Sequence, residues 1–136
     1  MTEPKLETPF ELLGGGQDLV VRIVRAFYAR MAEAEPALAQ VHELDPDGRI
    51  SERTQERFTR FLIEWLGGPA NYSPREGHPR LRMRHARVAI DSAQRDAWIR
   101  SMSFALDQEG VRGEVRAFLD ARFFELATFL RNHPDA

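Results

Sequence analysis

Gly77-His78-Pro79-Arg80-Leu81-Arg82-Met83-Arg84-His85 sets one imidazole, His85, inside a dense patch of arginine. Trp65-Leu66-Gly67-Gly68-Pro69 lies before this run and Asp96-Ala97-Trp98 after it. Imidazole ligates metals through either ring nitrogen, and which nitrogen is free depends on what the other one bonds. Guanidinium groups recognise carboxylates in a planar, two-pronged geometry. A basic, apolar-walled site with a single histidine therefore suits an anionic, flat, metal-bearing ligand.

Spacing alone does not decide that His85 ligates anything. An isolated histidine on a helix is more often a satisfied structural residue, and an arginine run is more often a solvated face. Haem fits the combination best, because its two propionates need cationic partners. Tyr28, His42 and Trp98 each add a polar N–H or O–H on an aromatic side chain. Taken singly, Tyr28 and Trp98 read as core residues whose polar tips have found partners. Taken jointly, they could donate hydrogen bonds to a ligand held on a metal. His133 sits among polar residues near the C-terminus, and His78 precedes a proline in a loop. Zinc needs three or four N, O or S ligands, and no His-Glu-x-x-His or similar spacing is present. Nor is there a Gly-x-Ser-x-Gly elbow, a P-loop or a dinucleotide fingerprint.

Helices must carry these groups. Val20, Val24, Phe27, Tyr28 and Met31 make an apolar stripe over about 17–34, broken by Pro36. Phe58, Phe61, Leu62, Trp65 and Leu66 form a second stripe, on a helix opening near Ser51 and stopped by Gly67-Gly68-Pro69. Asp91 and Gln94 resemble a capping box before a helix with Trp98, Met102, Ala105 and Leu106 on one face. Val115, Phe118, Leu119, Leu126, Phe129 and Leu130 mark the last helix, with Arg122 and Phe123 within the same sector, and it fades at Asn132-His133-Pro134. Asp45-Pro46-Asp47-Gly48 is turn chemistry. The expectation is an all-α fold of four long amphipathic helices.

The chain has 136 residues, enough for one domain with a substantial core. A net charge of −2 gives no general attraction to nucleic acid. No cysteine is present, which excludes disulfides and thiolate ligands. Neither a signal-peptide pattern nor a membrane-length apolar run occurs, so a cytoplasmic location is expected.

Together, Trp65-Leu66-Gly67-Gly68-Pro69, Tyr72, the Gly77–His85 run, Arg95-Asp96-Ala97-Trp98 and the Phe27-Tyr28 pair resemble the group II truncated haemoglobins. The resemblance covers roughly residues 9–131 and treats 1–136 as a single globin domain. It implies a truncated globin fold, a two-over-two helical sandwich around haem b. By that resemblance His85 is the proximal iron ligand, and Tyr28 and Trp98 are distal hydrogen-bond donors. His42 falls where many members carry tyrosine or phenylalanine. Thr54 and Phe58 match distal positions facing the haem, and Arg57, Arg84 and Tyr72 match propionate neighbours. Phe61 and Leu81 join them as expected haem contacts. Val88 stands where phenylalanine is common, a change that should loosen packing behind the haem.

The implied function is binding of O2, NO, CO or similar small ligands at a five-coordinate iron. Tight hydrogen bonding to O2 makes a poor carrier, so NO or peroxide chemistry, or sensing, is preferred to bulk transport. NO dioxygenase or peroxidase-like activity would require an external reductase, since no flavin or nicotinamide motif is present. The sequence leaves monomer and homodimer open. The competing reading is a cofactor-free helical module that docks an acidic partner through the Arg75–Arg87 patch.

Overall fold

The computed structural model of the chain describes residues 7–86 and 88–135, apart from the Arg84 side chain. The described residues form helices α1 (Pro9–Leu13), α2 (Gly16–Ala34), α3 (Pro36–Ala39), α4 (Glu52–Trp65), α5 (Ser73–Glu76), α6 (Leu81–Arg84), α7 (Ser92–Gln108) and α8 (Gly113–Phe129). Among them there is no strand, only an isolated antiparallel bridge between Leu44 and Ile50 in the loop before α4. None of these helices is long and apolar enough to cross a membrane.

Local chemistry explains the long helices. The Ser51 hydroxyl accepts from the Thr54 N–H to cap α4, and the Asp91 carboxylate accepts from the Gln94 N–H to cap α7. Half of the expected capping box is realised, because the Gln94 amide turns away to the Ala37 carbonyl at 3.4 Å. Pro36 ends the α2 pattern and opens α3 as its first residue, where its missing N–H costs nothing.

α2 pairs with α4, α7 pairs with α8, and α2 packs on α7 across the two pairs. Phe27, Val20, Val24, Met31, Leu62, Met102 and Leu106 fill the junction and are essentially inaccessible to water. The last helix differs from its expected stripe. Phe118 and Phe129 were expected on the inner face, yet they are 49% and 50% exposed. Leu119 and Phe123 are buried as expected, and Ala127 joins them. α8 carries apolar residues nearly all round, so periodicity could not tell its two faces apart.

Gly67 and Gly68 do more than stop α4. The Phe10 N–H donates to the Leu66 carbonyl at 3.0 Å, seating α1 against the end of α4. Gly67 has φ +95°, and a Cβ placed there would sit 2.7 Å from the Thr8 Cβ. Thr8 in turn caps α1. Gly110 also has a positive φ, +73°, but nothing lies within 4 Å of its virtual Cβ. Gly110→Ala should therefore cost only the left-handed backbone term, about 1–2 kcal/mol. Gly67→Ala should cost roughly 1–3 kcal/mol beyond that because it also overpacks Thr8. Urea midpoints of the two variants check this, and equal losses would refute the close-approach argument.

Candidate functional site

A cavity of about 320 Å³ opens between α2, α4, α6, α7 and the C-terminal part of α8. That size is within the range of small-molecule and cofactor sites. Tyr28, His42, Thr54, Arg57, Phe58, Phe61, Leu81, His85 and Trp98 all line it. The fold thus brings together nine of the expected site residues from five separate stretches of chain.

Two did not arrive. Tyr72 is 3% exposed and meets Phe61 edge-on at 5.6 Å, so it supports the wall from behind and does not line the cavity. Its place beside Gly67-Gly68-Pro69 in sequence gave no information about depth. The Arg84 side chain lies outside the described residues, as does Arg87 of the arginine patch.

The aromatic wall is one connected cluster. Phe27 stacks on Tyr28 at 4.8 Å between ring centroids and meets Phe58 and Trp98 edge-on at 5.5 and 5.1 Å. Trp98 continues to Phe123 at 5.6 Å, which stacks on Trp65 at 5.1 Å. Such pairs contribute about 0.5–1.5 kcal/mol each beyond the area they bury. They also fix where the Tyr28 hydroxyl and the Trp98 indole N–H point. Among the described residues, neither of these groups has a hydrogen-bond partner. Burial pushes the Tyr28 phenol well above its ordinary value, and the Arg57 charge only partly opposes this. Tyr28 therefore keeps its proton and remains a donor.

Both histidines have their tautomers set by carbonyls. His85 Nδ1 lies 2.6 Å from the Leu81 carbonyl oxygen. A carbonyl only accepts, so Nδ1 carries the proton and Nε2 keeps its lone pair. His42 Nδ1 lies 2.9 Å from the Leu38 carbonyl oxygen, with the same consequence. Burial lowers the His42 pKa, and backbone hydrogen bonding from Leu38 and Ala39 resists this. The neutral His42 ring consequently presents an acceptor at Nε2. The expectation that it donates to a ligand is corrected on this point.

Sequence reasoning missed several lining residues. Arg95 is held by Asp96 at 3.0 Å and lies over the Phe124 ring at 5.0 Å. It is three residues before Trp98 on α7, which is the signal that could have found it. Leu126, Ala127 and Leu130 close the cavity from the end of α8. Arg57 has no ion-pair partner among the described residues, whereas Arg22, Arg25, Arg53, Arg60, Arg100 and Arg116 each face a carboxylate. An apolar slot with two lone-pair imidazoles, His42 and His85, and two guanidinium groups, Arg57 and Arg95, fits haem in charge and donor chemistry.

The bacterial-like globin family model matches residues 8–132. A group 2 truncated haemoglobin of Bacillus subtilis is 35% identical over 128 residues, 94% of this chain and 91% of that protein. The crystal structure of a group II truncated haemoglobin from Bacillus anthracis superposes with a TM-score of 0.86 at 32% identity, covering 96% of this chain and all of that one. A truncated haemoglobin from Bacillus subtilis, described as oxygen-avid, gives 0.82 at 34% identity over 93% of this chain and 100% of its own. The chain belongs to the bacterial-like globin family, among the group II truncated haemoglobins with their two-over-two fold.

Proposed function

We propose that the cavity binds haem b through His85 and holds O2 tightly for chemistry or sensing, in preference to bulk transport. Bound there, haem supplies an iron with one position open to a small diatomic ligand. The observation that carries this reading is the pair of donors without a partner among the described residues, Tyr28 and Trp98, lining the same cavity as a histidine whose Nε2 is free. The cofactor-free docking reading gives way to the family, whose members bind haem.

Each residue has a distinct task. His85 offers Nε2 while Leu81 holds its other nitrogen. Leu81, Phe58 and Phe61 give the cavity an apolar lining that would exclude water from a bound flat ring system. Arg57 and Arg95 are the cationic partners for propionates, and Thr54 packs beside them, its Oγ1 accepting from the Ser51 hydroxyl at 2.9 Å. Tyr28 and Trp98 donate to a ligand that gains negative charge. A hydrogen bond to a charged group contributes roughly 1.5–3 kcal/mol, so two of them slow release by orders of magnitude. The oxygen-avid description of the Bacillus subtilis relative accords with that arithmetic. A protein releasing O2 so slowly suits NO or peroxide chemistry driven by an external reductase, in a cytoplasmic setting. Turnover of NO or peroxide by the reductase-coupled protein, against the same mixture without it, tests that assignment.

His85→Ala should abolish the five-coordinate ferrous spectrum of the reduced protein. A spectrum like the parent's would overturn the proximal assignment.

Trp98→Phe should speed O2 dissociation about tenfold to a hundredfold, the equivalent of one lost charge-assisted bond. Tyr28→Phe should act in the same direction. Stopped-flow displacement of O2 by CO measures both, and an unchanged rate removes that residue from the mechanism.

The His42 pKa gives a pH dependence of stated sign. Neutral His42 accepts at Nε2, while the protonated ring donates there, so acidification adds a donor to the cavity. The charged and titratable neighbours lining the same cavity are Glu43, Arg57, Arg95, Tyr28 and His85. Because burial depresses the His42 pKa, O2 dissociation should stay flat from pH 8 to about 6.5 and slow only below that. His42→Phe should remove the acid limb; its persistence in that variant would assign it to another group.

A further inference from the structure

The proximal side of the cavity rests on little. α6 is a single turn, entered through Pro79 and through Arg80 at φ 46°, and His85 is the residue after its end. A helix of that length has almost no stability of its own. Its immediate continuation is a turn closed by the Val88 N–H on the His85 carbonyl at 3.0 Å.

One side chain ties this turn together from 47 residues away. Asn132 Nδ2 donates to the His85 carbonyl at 3.2 Å and to the Val88 carbonyl at 2.9 Å. Its Oδ1 accepts from the Ile90 N–H at 2.8 Å, and its own N–H donates to the Ile90 carbonyl at 2.9 Å. The partners fix the amide orientation, since two are carbonyls and one is an N–H. Neighbouring contacts run the same way. Arg82 Nε donates to the Phe129 carbonyl at 3.0 Å, and Asp135 accepts from the Ser92 N–H at 2.9 Å.

We propose that Asn132 is the positioning residue of His85: its carboxamide clamps the backbone of the turn that carries the imidazole and so sets the direction of Nε2. This rests on the reading of His85 as the iron ligand. Asparagine is required chemically, because both bonds that reach His85 and Val88 come from a donor. Aspartate has the same shape and keeps an acceptor for Ile90, but it faces the two carbonyls with negative oxygens.

The test is Asn132→Asp, read by the iron–histidine stretching band of the reduced protein and by the rate of haem transfer to apomyoglobin. The band should shift or broaden and transfer should quicken roughly fivefold, with the far-UV spectrum unchanged. If that variant fails to fold, Asn132→Ala should give the same two changes. Asp135→Ala loosens the tail at Ser92 without touching the proximal turn and should leave the band where the parent has it. A parent band unmoved by either Asn132 variant overturns the proposal, and so does an equal shift in Asp135→Ala. A parent with no such band overturns the His85 assignment itself, which is a different result.

Discussion

Phe27 is the side chain on which the rest of the structure depends. It is wholly buried and touches Tyr28, Phe58 and Trp98, residues from α2, α4 and α7. Burying a phenylalanine contributes about 1.5–3 kcal/mol by area alone, and the ring pairs add to that. The rings packed around Phe27, those of Tyr28, Phe58 and Trp98, are also a wall of the cavity. The Tyr28 hydroxyl and the Trp98 indole N–H therefore cannot reorient without opening the core, and the cavity inherits its rigidity from folding.

That arrangement divides the cavity into unequal halves. Tyr28, Phe58 and Trp98 sit on helices of 14 to 19 residues packed against one another. His85 follows a helix of four residues, and its carbonyl is held from the chain's tail by Asn132. Local opening is drawn from regions with few buried contacts and exposed hydrogen bonds. The proximal turn answers that description, whereas the aromatic wall does not.

The sequence was legible where local chemistry and periodicity agreed. Ser51 and Asp91 announced α4 and α7, and the stripe over Val20–Met31 announced α2, because caps and a one-sided apolar face carry their own positional code. The cavity residues carried by family resemblance arrived together, from Tyr28 to Trp98. Phe118 and Phe129 misled because α8 is apolar on more than one side, and several of its exposed neighbours are covered by cations instead. Arg95 lies over Phe124, and Arg82 lies over Phe129 at 4.1 Å. Tyr72, carried over from the family resemblance as a propionate neighbour, packs behind Phe61 because matching a motif position does not specify depth. Asn132 was invisible for a different reason: a polar residue after a helix reads as fraying, and its partners lie more than 40 residues away.

The two imidazoles show how a small structural device can be used twice. α3 and α6 are both four-residue helices, and the Leu38 and Leu81 carbonyls, which already accept from the Val41 and His85 N–H groups, each have a second lone pair to offer. His42 follows Leu38 by four residues and His85 follows Leu81 by four. Each ring turns back and donates its Nδ1–H to that carbonyl. One bond chooses the tautomer in each case, so Nε2 is left with a lone pair on both rings. For His85 that lone pair is what a metal would take under the proposed reading. For His42 it makes an acceptor, leaving donation to the Tyr28 hydroxyl and the Trp98 indole N–H until the ring takes a proton. The local geometry that holds the two rings is the same, so any difference in their chemistry comes from the cavity residues around each.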